Sequence, residues 1–73
     1  MAIDYTTLLS PEERLSIVNA RIKQFANEAY QHDLNRSLGV STSNEELVKT
    51  SDAALVTLGA AIENLQTEVA TLG

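Results

Sequence analysis

The sequence predicts an all-α protein: an antiparallel two-helix hairpin, coiled-coil-like, completed by oligomerisation or by docking on a larger assembly. Three observations carry this. Two long stretches repeat apolar residues at helical spacing. A short polar connection separates them, which leaves the second helix to run back beside the first. And the chain has 73 residues with no cysteine, so it is a single unit without disulfide staples, of a size at which a lone hydrophobic core is hard to close.

Residues 1–9 read as an extended arm. Ile3 and Tyr5 alternate with Asp4 and Thr6, and Leu8 and Leu9 follow. So apolar an arm folds back on the helices or docks on a neighbouring chain. The hairpin occupies 10–73. Ser10 is a natural N-cap, Pro11 suits the first helical position, and Glu13, three residues after the cap, completes a capping box. The first helix is expected over about 11–38. Its apolar positions are Leu15, Val18, Ile22, Phe25, Ala26, Ala29, Tyr30, Leu34 and Leu38, read as one stripe. Gly39 is read as the stop, through a left-handed backbone, with Val40 folded back on Leu34.

The turn is expected over 39–43 and the second helix over about 44–72, with Ser43 as its cap and Glu46 three residues on. The second helix has the stronger pattern. Val48, Leu55, Ile62 and Val69 recur every seven residues, and so do Ser51, Leu58, Leu65 and Leu72. These are the a and d positions of four heptads. The first helix fits a looser frame, with Leu15, Ile22 and Ala29 at one position and Val18, Phe25 and His32 at the other. Folding about residue 41 sets facing positions to sum to about 82–84. That register places Phe25 near Leu58 and Gly59, and His32 opposite Ser51. It also pairs Arg14 with Glu68, Arg21 with Glu63 and Asp33 with Lys49.

One feature points outward. Residues 53–62 read Ala-Ala-Leu-Val-Thr-Leu-Gly-Ala-Ala-Ile, without a charge. Ala53, Val56, Thr57 and Ala60 fall on the side away from the heptad seam. A helix apolar nearly all round is usually covered nearly all round. Small residues there, Gly59 among them, would admit another helix closely. The candidate interaction residues are therefore Ile3, Tyr5, Leu8 and Leu9 in the arm, and Ala53, Val56, Gly59 and Ala60 on the second helix.

No catalytic, cofactor-binding or metal site is expected. His32 is the sole histidine, and only Glu28 could share its face, too few donors for zinc. Glu12/Glu13 and Glu45/Glu46 sit in first helical turns, where capping and the helix dipole account for them. No glycine-rich phosphate loop exists. Ten acidic against five basic residues give a net charge of -5, which argues against nucleic acid as a partner. No apolar run could span a bilayer and no signal peptide is visible. Location in a virion or a host cytoplasm is the expectation.

The stretch Ile3-Asp4-Tyr5-Thr6-Thr7-Leu8-Leu9-Ser10-Pro11-Glu12-Glu13-Arg14, continued by Arg21-Ile22-Lys23-Gln24-Phe25-Ala26-Asn27-Glu28-Ala29-Tyr30-Gln31-His32-Asp33-Leu34, resembles the openings of small helical accessory and structural proteins of tailed bacteriophages. The resemblance covers the first half of the chain. It implies a head, tail or baseplate component with no catalytic residues to carry over. The functional expectation is a non-enzymatic structural or interaction subunit whose partners are further copies of itself, a larger protein assembly, or both, with no small-molecule substrate. The alternative is a small regulatory or inhibitory protein that binds its partner through the hairpin.

Overall fold

A computed structural model describes residues 3–73. The chain is all-α: α1 (Tyr5–Leu8), α2 (Pro11–Ser41) and α3 (Glu45–Leu72), with α2 and α3 packed against each other as an antiparallel hairpin. The molecule measures 52 × 26 × 15 Å, a slab two helices wide and one deep.

The arm is not extended throughout, as its alternating pattern suggested. Asp4 caps a single helical turn, its carboxylate accepting from the Thr6 N–H at 3.2 Å. Such a capping interaction competes well with an isolated strand that has no neighbour to pair with. The chain straightens at Leu9, then enters α2 through the capping box expected at Ser10. The Glu13 N–H donates to Ser10 Oγ at 3.1 Å, and the Ser10 N–H donates to Glu13 Oε1 at 3.1 Å.

The far end of α2 departs from the sequence reading. The helix runs through Gly39 to Ser41, and no described glycine has positive φ. The left-handed residue is Ser43, at φ 56°. The Asn44 N–H donates to the Gly39 carbonyl at 2.8 Å, and the Ser43 N–H to the Val40 carbonyl at 3.3 Å. This is a Schellman motif in which serine occupies the position glycine usually takes. Asn44, not Ser43, caps α3, its side chain accepting from the Leu47 N–H at 3.1 Å.

Gly39 has a different task. A Cβ there would lie 2.9 Å from Val48 Cγ2, 3.1 Å from the Val48 nitrogen and 3.2 Å from the Asn44 carbonyl oxygen. The start of α3 packs directly on the α2 backbone, and only a residue without a side chain permits that approach.

Because the bend centres on 42–44, the register moves by about one helical turn. Gly39 meets Val48 and Arg36 meets Asp52, so facing positions sum to 87–88. Phe25 is therefore level with Ile62 and not with Gly59, where a Cβ would touch nothing within 4 Å. His32 is level with Leu55, one turn from Ser51. The three expected ion pairs do not form. Among the described residues the ion pair is Arg36–Asp52, at 2.6 Å. With both side chains about half exposed, it contributes roughly 0.2–1 kcal/mol.

The seam itself follows the heptads. Val18, Ile22, Phe25, Ala29 and His32 of α2 and Val48, Leu55, Leu58, Ile62, Leu65, Val69 and Leu72 of α3 are half-buried. Ser51, the one polar residue among the heptad positions of α3, is the most covered side chain, at 1% exposure. It lies near the turn, where the helices are held closest and a small side chain fits.

Two outcomes check this geometry. Gly39→Ala should lower the thermal midpoint by several degrees: overpacking of roughly 1–3 kcal/mol outweighs alanine's helix-propensity gain of up to about 1 kcal/mol. Melting followed by circular dichroism reads it. Asn44→Ala should cost about 1 kcal/mol as a lost cap, whereas Ser43→Gly should raise stability by about 1 kcal/mol through relief of the left-handed strain. Urea titration of both variants separates the two roles.

Candidate interaction surfaces

Neither helix can cover the other completely. Among the described residues no apolar side chain is buried, while Ile3, Tyr5, Leu8, Ile17, Tyr30, Leu34, Leu38, Val40 and Val56 are at least half exposed. The candidate surface is therefore apolar and helical, not a pocket. The grooves present are shallow and open, and the described residues hold no cluster of three or more His, Cys, Asp or Glu side chains that could bind a metal ion. Among the described residues no helix is long and apolar enough to cross a membrane.

The sequence-predicted residues fall into two separate places. Ala53, Val56, Gly59 and Ala60 are all exposed on α3, with Val56 at 74%. The Thr57 hydroxyl beside them donates to the Ala53 carbonyl at 3.2 Å, which uses its hydrogen within the helix. The arm lies at the open end of the hairpin. Tyr5 and Leu9 border a depression shared with Arg14, Ile17, Val18 and Glu68. The Arg14 guanidinium sits 5.9 Å from the centre of the Tyr5 ring, within cation–π range. Leu9 is half-buried, whereas Ile3, Tyr5 and Leu8 remain exposed. Glu68 is twelve residues from Val56, about 18 Å along the helix, so the arm and the α3 patch do not form one surface.

Four residues assigned to the α2 seam, Ala26 among them, are exposed and not in it. Tyr30, Leu34 and Leu38 are 64%, 51% and 55% exposed. They recur every four residues, and at 100° per residue they lie roughly 110° to 190° around α2 from the seam. The heptad frame through Ala29 and His32 already separated them. The longer apolar series obscured the difference, because Ala29 and Tyr30 are adjacent and both apolar. Val40 lies within α2 and is exposed, so it does not fold back on Leu34.

Comparison with protein-family models, with curated proteins and with solved structures finds no match to this chain.

The Tyr5–Arg14 contact has a measurable size. A double-mutant cycle with Tyr5→Ala and Arg14→Ala should return a coupling of about 0.5–1 kcal/mol. A coupling of zero would mean that the arm is not held at this site in solution.

Proposed function

We propose that this chain is a non-enzymatic structural or interaction subunit that works by laying helix faces on other protein in a larger assembly. The observation that carries the reading is the imbalance between the two kinds of apolar surface: no described apolar side chain is buried, and nine large ones are exposed. A two-helix slab has no interior in which a catalytic group could be shielded from water, whereas its faces suit helix-to-helix docking. The extent of the chain supports this too. Its radius of gyration is 16.4 Å, against about 11 Å for a compact domain of this length. The partner class is protein, through α3 around Ala53, Val56, Gly59 and Ala60 and through the arm at Ile3, Tyr5, Leu8 and Leu9. A tailed-phage virion is the assembly that the resemblance of the first half implies.

The test is sedimentation of extracts in which the chain is made at its natural level. The chain should travel with a particle much larger than a few copies of itself. Val56→Glu and Ala60→Glu should release it from that particle while leaving its helical circular dichroism intact, since neither side chain is covered within the hairpin. Recovery in a small complex with one partner would favour the regulatory alternative. Unchanged sedimentation of both variants would remove the α3 patch from the interface.

A further inference from the structure

The hairpin slab has two broad faces, and helix geometry sorts the exposed residues between them. In an antiparallel pair, residues turned in the same rotational sense from the seam lie on the same face of both helices. Arg14 and Ile17 of α2 and Glu68 of α3 are all turned backward from the seam, and they do share one depression, the one beside the arm. Tyr30 and Leu34 of α2 and Val56 and Gly59 of α3 are turned forward. Tyr30 and Gly59 therefore occupy the opposite broad face, Val56 and Leu34 lie toward its outer edge, and the observed register puts Tyr30 level with Val56.

We propose that this second face pairs with a second copy of the chain, about a two-fold axis parallel to the helices, to make a four-helix bundle; the inference rests on the interaction-subunit reading and names its partner. Surface area gives the first reason. The chain exposes 5614 Å². A compact monomer of 7.9 kDa exposes about 4,400 Å². Bringing two copies to that norm buries about 1,200 Å² on each, or about 2,400 Å² in all, which is the size class of stable dimers. One face of a slab measuring 52 × 26 Å is large enough to supply it.

Self-complementarity gives the second reason. Rotation about an axis parallel to the helices lays α2 of each copy over α3 of the other, level for level. Every neighbouring helix pair is then antiparallel. Tyr30, the largest projecting side chain on this face, comes over the open space at Gly59, where a Cβ has no neighbour within 4 Å, with Val56 beside it. One and a half to two turns away, Lys23 comes opposite Glu63. Both are exposed, and neither forms an ion pair within its own chain among the described residues. Each contact occurs twice, as an isologous interface requires.

Light scattering behind a sizing column across a dilution series tests this, with circular dichroism on the same samples. The wild-type chain should be a dimer. Tyr30→Glu should weaken it roughly thirtyfold or more, as expected for an aromatic at an interface centre. Ile17→Glu, on the opposite face, should leave the dimer intact. Lys23→Glu and Glu63→Lys should each weaken the dimer, and the double reversal should restore it. Should Tyr30→Glu lose helicity, the charge reversal decides alone. A wild-type monomer at every concentration, or a dimer indifferent to the Lys23 and Glu63 reversals, overturns the proposal. A monomer that still sediments with a large particle would refute the dimer and leave the interaction-subunit reading standing.

Discussion

Two helices touch along one line, and each seam side chain is covered from one direction only. This constraint governs the rest of the molecule. It explains why Val18, Ile22, Phe25, Leu58, Ile62 and Leu65 are half-buried and never enclosed, and why the best-covered side chain is a serine at the tight end. Hydrophobic stabilisation scales with the apolar area removed from water. A seam whose apolar side chains all stay partly wet gains less than an enclosed core, and a third or fourth helix would add most where the first two leave off.

The turn shows how little material fixes the pairing. Ser43 adopts the left-handed conformation, Asn44 both closes α2 and caps α3, and Gly39 lets Val48 approach the α2 backbone. Together they set the register for both helices. A bend displaced by two residues shifts every facing pair by four, which is one turn. The seam tolerates that shift, because apolar residues recur at nearly the same spacing. Charged residues do not, and Arg36–Asp52 forms where three other pairs had been expected.

The same slab geometry divides the surface into two separate regions. The arm, with its capped turn at Asp4 and the Tyr5–Arg14 contact, lies on one broad face at the open end. Tyr30 and Gly59 lie on the other, nearer the middle, with Val56 and Leu34 toward its outer edge. Both regions expose large apolar side chains and neither offers an enclosed site, which is why protein is the partner class we propose.

Much of this was legible in the residues themselves. Capping at Ser10 and Glu13 is local, decided by side chains three apart. The α3 heptads from Val48 to Leu72 identify the seam because a seven-residue repeat holds one face toward a partner whatever the rest of the chain does. The uncharged run 53–62 marked an outward apolar patch for the same reason. Only the tertiary structure decided where the bend falls, and with it the register. A glycine near a helix end serves equally as a left-handed stop or as a point of close approach, and the neighbour that distinguishes them, Val48, is nine residues away. Tyr30, Leu34 and Leu38 are an intermediate case: the heptad frame through Ala29 and His32 set them apart from the seam, and the position of α3 decided that they stay uncovered.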